Sequence, residues 1–193
     1  MRFIGFYDYT VILTYLSLLS AVGGIILAGQ DRFTAAVLCL MFSGVCDAFD
    51  GAVARSKKNR TDDEKAFGIQ IDSLCDAVSF GLMPALFGYH YGLDGWIGVA
   101  IVAVYVLCAV IRLGFFNVLE GKRQQTEGGC NKIYRGMPVT TISILLPAVY
   151  LMCTFLSEPV AEGVLHGLLA VSAFLFVLDV PVKKPQLDKL LKR

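Results

Sequence analysis

Four aspartates, Asp47, Asp50, Asp72 and Asp76, stand inside sequence that is otherwise apolar. An ionisable side chain in such surroundings costs at least ~2.5 to 3.5 kcal/mol to insert into a bilayer, so each one marks a function before it marks a fold. At about 100° per helical residue, Asp47, Asp50, Gly51 and Ala54 share one face, and Gly68, Asp72 and Asp76, spaced by four, share another. The spacing builds one site from two helices. Four carboxylates brought together repel one another, and divalent cations remove that penalty. All-oxygen ligands favour the hard cations Mg²⁺, Mn²⁺ or Ca²⁺, and bridging carboxylates suit a pair of them a few ångströms apart. Two such ions clamp the attacking and leaving oxygens of a phosphoryl displacement. The small residues Gly51, Ala54 and Gly68 interleave with the acids and open room for a ligand beside the backbone.

The elements that must carry these groups follow from composition. Of 193 residues, 56% are hydrophobic and only 17% charged, against about 25% charged in soluble domains. Six segments, approximately 9–28, 33–55, 67–89, 96–118, 137–157 and 163–182, are long and apolar enough to read as membrane helices. The expected fold is therefore an all-α integral membrane protein with six transmembrane helices, forming one membrane-embedded catalytic domain over residues 1–193. Asp50 lies seven residues from Lys57, and Asp72 seven from Lys65, about 10 Å of helix in each case. An antiparallel hairpin of the second and third spans thus brings the acids level. The net charge of +1 gives no basic field for nucleic acid. Lys and Arg concentrate in the loops 55–66 and 119–136 and in the tail, while the opposite loops hold Arg32 and mostly acids. That asymmetry puts both termini and the two long loops on the cytoplasmic side of the cytoplasmic membrane. The aromatic opening, ending in Phe6, Tyr7, Asp8 and Tyr9, reads as a short amphipathic lead-in along the interface. The six cysteines are scattered singly and read as small apolar packers.

The run Asp47, Asp50, Gly51, Ala54, Arg55, followed by Gly68, Asp72 and Asp76, resembles the CDP-alcohol phosphotransferase signature DxxDGxxAR…GxxxDxxxD at all eight of its fixed positions. Twelve residues separate Arg55 from Gly68, where the family usually has eight or nine; the extra length falls in the charged loop. The resemblance implies the fold of that family, transfer of a phosphoalcohol from a CDP-linked donor to an alcohol with release of CMP, two divalent cations (Mg²⁺ or Mn²⁺), and a homodimer among membrane lipids. It also implies roles. Asp47, Asp50 and Asp72 are metal ligands, Asp76 is a ligand or the general base, and Asp47, Gly51, Ala54, Arg55 and Gly68 hold the CDP moiety.

Further stretches resemble the phosphatidylserine synthase branch. Asp72-Ser-Leu-Cys-Asp76 continues to Ser79-Phe80-Gly81 and Pro84-Ala85, like that branch's DSLxDxxSFGxxPA; Arg112 to Val118 is similar to its RLARFNV, and Tyr134 to Pro138 to its FxGLP. Gly114-Phe115 stands where that branch has Ala-Arg. This likeness implies CDP-diacylglycerol as donor and L-serine as acceptor. Arg112, Asn117 and Arg135, near the cytoplasmic ends of spans four and five, are then candidates for binding the acceptor or a lipid phosphate. A phosphatidylglycerophosphate or phosphatidylinositol phosphate synthase would share the signature but need a basic pocket, which Arg112, Lys132 and Arg135 could also supply. From another class, an ion transporter could use four membrane carboxylates, though it would not require nucleotide-sized gaps.

Overall fold

In a computed structural model the described residues are 4–57, 59–125, 133–179 and 181–183, without the side chains of Arg55, 122–125, 133–135 and 181–183. The six apolar segments become six apolar helical segments. Five of them, Tyr9–Ala28, Phe33–Ala54, Asp62–His90, Trp96–Gly121 and Glu158–Val177, are long and apolar enough to cross a membrane. The segment Val139–Cys153 is shorter, its fifteen residues spanning about 22 Å at helical rise. It starts directly after Pro138, carries Pro147 inside, and ends before the turn that opens the next helix at Glu158. The helices are α1 (Ile12–Ala28), α2 (Phe33–Ser56), α3 (Asp62–Asp76), α4 (Met83–His90), α5 (Trp96–Gln125), α6 (Ile142–Cys153) and α7 (Glu158–Val177).

Two features lie outside the sequence expectation. Short strands β1 (Ile133–Arg135) and β2 (Pro181–Lys183) pair antiparallel, with Tyr134 opposite Val182, and tie the loop before α6 to the chain after α7. The aromatic lead-in folds back onto the helices. Gly5 takes a φ of +115°, open to a residue without Cβ, and the chain turns back so that Phe6 meets Phe67 of α3 edge to face at 5.5 Å.

α3 and α4 are one continuous rod joined by a π-helical turn, Ala77–Leu82, which begins immediately after Asp76. The rod is the most buried of the five crossing helices. That position follows from its cargo: Asp72, Ser73, Asp76 and Ser79 cannot face hydrocarbon, so the other helices shield them. Pro84 has no N–H for the Phe80 carbonyl four residues back, and the buried Tyr105 hydroxyl of α5 donates to that carbonyl at 2.8 Å. A Cβ on Gly81 would touch Ala109 at 3.4 Å. The Ser79-Phe80-Gly81…Pro84 stretch thus docks the rod onto α5.

α1 and α2 form an antiparallel hairpin held across its seam by hydroxyls. Ser43 Oγ donates to the Ser17 carbonyl at 2.9 Å and Ser20 Oγ to the Cys39 carbonyl at 2.9 Å, the polar glue expected where lipid supplies no hydrophobic drive between helices. Leu40, Phe80, Met83, Phe87, Leu146 and Leu169 are fully buried at the centre. Outward, Leu19, Phe49, Leu74, Trp96, Ile97 and Phe174 are more than half exposed, as befits surfaces whose solvent is lipid.

Candidate metal and nucleotide site

α2 and α3 bring three of the expected acids together. One carboxylate oxygen from each of Asp47, Asp50 and Asp72 lies within 4.8 Å of the others. Thr14 of α1 donates its hydroxyl to Asp50 Oδ2 at 3.3 Å, orienting that carboxylate from a third helix. Asp76, one turn further along α3, is 8% exposed, but its carboxylate is not in the three-oxygen cluster. Asp72 Oδ1 is buried without a hydrogen-bond partner. A buried carboxylate oxygen left bare is costly, and three converging carboxylates repel. Both features fit a hard divalent cation and its all-oxygen preference.

Beside the cluster opens a cavity of about 270 Å³ lined by Asp50, Gly51, Ala54, Gly68 and Asp72, among others. All three small residues of the signature therefore do border an open volume. The sequence reading missed the other lining residues, among them the polar Thr10, Thr14, Arg60, Lys65 and Glu120. Arg60 and Lys65 belong to the charge-rich loop and first turn of α3, a signal that pointed only to orientation. Arg55 lies in the last turn of α2, one turn from Gly51; its side chain is outside the described residues.

The segment between α2 and α3 is organised by capping and charge. Thr61 and Glu64 form a reciprocal capping box, Glu64 N–H to Thr61 Oγ1 at 3.2 Å and Thr61 N–H to Glu64 Oε2 at 2.9 Å, which starts α3 at a defined residue. Lys57 donates to Glu64 Oε1 at 2.9 Å and to Asp8 Oδ2 at 2.7 Å. The Lys57 ammonium, followed by Thr10, holds the Asp8 carboxyl down at about 2. This bridge straps the chain before α1 to the α2–α3 loop.

Of the three residues expected at an acceptor site, Arg112 and Asn117 engage different neighbours. Arg112 of α5 is 6% exposed; its Nε donates to the Met137 carbonyl at 3.2 Å. It borders a second cavity of about 270 Å³ with Phe115, Phe176 and Asp179, and Asp179 was given no role from sequence. Gly136 opens this corner: at φ +76° it needs a residue without Cβ, and a Cβ there would lie 2.9 Å from the Leu178 carbonyl. Asn117 sits about 140° around α5 from Arg112. It accepts from Ser73 Oγ at 2.6 Å and donates to Gln70 Oε1 at 3.5 Å, strutting α3. Arg135 lies in β1, and its side chain is outside the described residues, as is Lys132 altogether. The Ser73–Asn117 bond and the Gly81–Ala109 approach set an antiparallel register between rod and α5. In that register Arg112 is level with Val78, two residues or about 3 Å past Asp76.

A family model described as CDP-alcohol phosphatidyltransferase matches residues 9–179. Among curated relatives, archaetidylserine synthase of Methanothermobacter thermautotrophicus is 34% identical over 140 residues, 70% of this chain and 56% of that protein. CDP-diacylglycerol–serine O-phosphatidyltransferase of Saccharomyces cerevisiae is 33% identical over 127 residues, 64% of this chain and 45% of that protein. The Helicobacter pylori protein of the same name is 31% identical over 142 residues, 72% and 56% of the two chains. The chain spans about half the length of the curated relatives it matches. No solved structure matches it.

Proposed function

Since the chain belongs to the CDP-alcohol phosphatidyltransferase family, we propose that it transfers a phosphatidyl group from CDP-diacylglycerol to L-serine, giving phosphatidylserine and CMP. The observation that carries the reaction is the meeting of three carboxylate oxygens within 4.8 Å beside a cavity walled by Gly51, Ala54 and Gly68. Asp47, Asp50 and Asp72, with Asp76, would hold two divalent cations, Mg²⁺ or Mn²⁺. Those ions supply stabilisation of the charge that gathers on the transferred and leaving phosphate oxygens. The small residues leave the volume that CDP occupies, with Arg55 at the same end of α2, and Thr14 keeps Asp50 turned toward the cluster. Asp76 takes the proton of the serine hydroxyl as its oxygen bonds to the phosphorus bearing diacylglycerol. The bond from that phosphorus to the bridging oxygen breaks, and CMP leaves with the electron pair.

Serine as acceptor rests on the names of the relatives and on Arg112. A buried guanidinium level with the residues just past Asp76 supplies a planar fork for a carboxylate. Arg135, two residues from Met137 whose carbonyl Arg112 holds, belongs to the same corner, whereas Asn117 serves as a strut. We read the 193 residues as one catalytic domain in the cytoplasmic membrane, with the metal site, both termini and the two long loops on the cytoplasmic side. The lipid-facing side chains of α5 and α7 leave surface for the homodimer that the family resemblance implies.

The test is CMP release by the purified protein with Mg²⁺ or Mn²⁺, CDP-diacylglycerol and single acceptors. L-Serine should drive it, and glycerol 3-phosphate and inositol phosphate should not. The reverse pattern would refute serine while keeping the transferase. Arg112→Lys should raise the KM for serine about 10-fold or more, the loss expected for a charge-assisted contact, with Mn²⁺ binding retained. An unchanged KM would remove Arg112 from the acceptor site.

A further inference from the structure

Among the described residues, the buried side-chain polar atoms without a hydrogen-bond partner are Asp72 Oδ1 and Arg60 Nε. Both residues line the same cavity. One is an acceptor and the other a donor, so a ligand that completes this cavity offers a cation or donor on one side and an acceptor, best an anion, on the other. A metal-bound diphosphate has that polarity. Asp72 belongs to the signature and meets the cationic part. Arg60 does not belong to it: it sits in the loop between Arg55 and Gly68, which is longer here than in the family pattern.

Arg60 is held rather than free to swing. Its Nη2 donates to the Glu64 carbonyl at 3.0 Å, at the first turn of α3. The same nitrogen lies over Gly68, where a Cβ would come within 2.6 Å of it. The missing side chain at Gly68 is thus what lets the guanidinium lie across the cavity wall, with Nη2 tethered and Nε left over. Lys65, the other basic residue on this wall, is engaged by Asp62 at 3.0 Å. Charge points the same way. Two divalent cations bring four positive charges, while the aspartates and a diphosphate together bring five or more negative ones, so a guanidinium at the phosphates lowers a net negative site.

We infer that Arg60 binds the donor's diphosphate, its Nε–H donating to a non-bridging phosphate oxygen, and so positions the donor over the aspartates. This rests on the reading of a CDP-linked donor. Arg60 is a positioning residue supplied by this chain's longer loop, and the loop is thereby part of the donor site.

The experiment is calorimetric titration of the purified protein, with Mn²⁺ present, by CDP and by cytidine, for the parent chain, Arg60→Gln and Arg60→Lys. Arg60→Gln should weaken CDP about 10- to 100-fold, leave cytidine unchanged and leave Mn²⁺ binding intact, which also reports that the variant is folded. Arg60→Lys, which keeps the charge but not the tethered fork, should fall between. In turnover, the KM for the CDP-linked lipid should rise while kcat falls less. Equal weakening of CDP and cytidine would overturn the assignment in favour of a contact to the base, and unchanged CDP binding would remove Arg60 from the site. Absence of CDP binding by the parent chain would instead take down the donor reading, and this inference with it.

Discussion

Asp50 stands at the crossing of three helices: it sits on α2, joins Asp47 and Asp72 of α3 in one oxygen cluster, and accepts from Thr14 of α1. Replacing one of its oxygens by an amide nitrogen keeps size and shape but removes the charge that a hard cation requires. Asp50→Asn should therefore lower CMP release at least about 100-fold, the scale of losing one electrostatic stabiliser of a developing oxyanion, while the protein purifies and melts as the parent does. Tight Mn²⁺ binding by Asp50→Asn, read by electron paramagnetic resonance, together with undiminished turnover, would sink the ligand assignment. Chelator should reproduce the loss in the parent chain and Mn²⁺ should restore it.

Elements are set against one another by close backbone approach more than by bulk. Gly44 of α2 faces Ser143 at the start of α6, and a Cβ on Gly44 would fall 2.6 Å from the Ser143 Cβ. That contact is too tight for any side chain, and Asp47 lies one turn further along α2. Gly44→Leu should cost about 1 to 3 kcal/mol through overpacking and reduce activity by shifting Asp47. Thermal unfolding in detergent checks the first effect, and CMP release the second. Adding Ser143→Gly should recover part of both, because neighbours in contact are not additive. A full loss with no recovery would show that the α2–α6 approach is not what the glycine serves. α6 leans on α2 through this contact, and the π-helical turn after Asp76 packs against both α5 and the Val139–Thr141 turn.

For the whole molecule, the expected topology puts the aspartate cavity and its charged rim on one side of the membrane and the Gly92 to Gly95 turn on the other. With the native cysteines replaced, a single cysteine introduced as Asp62→Cys should resist a membrane-impermeant maleimide in intact cells and react in inverted vesicles. Asp94→Cys should do the opposite. Asp62 is 98% exposed at its side chain, and Asp94 is exposed as well, so access to reagent is governed by sidedness. Matching labelling of both positions from one side would overturn the orientation.

What the chain alone determined is whatever is local in sequence or set by the solvent. Asp47 and Asp50, and Gly68, Asp72 and Asp76, declare their shared faces because a helix repeats every 3.6 residues, and acids amid apolar spans admit few explanations other than a site. The apolar runs announce the helices because the bilayer sets their length. The start of α3 is not read from those runs, which place the span from residue 67, whereas the helix begins at Asp62 behind the Thr61 and Glu64 cap. The rest needed the helices to be rotated and docked, which packing between distant segments decides. Thr14 reaches Asp50 across 36 positions. Arg112 meets Gly136, Met137 and Asp179 at a corner where α5, the turn into α6 and the end of α7 converge, and Asn117 turns to α3 instead because it lies on another side of α5. Arg60 reads in sequence as one more charge in a solvated loop. Only the fold lays its guanidinium over the bare backbone of Gly68, because only there do the end of α2, the capped start of α3 and the missing Cβ come together.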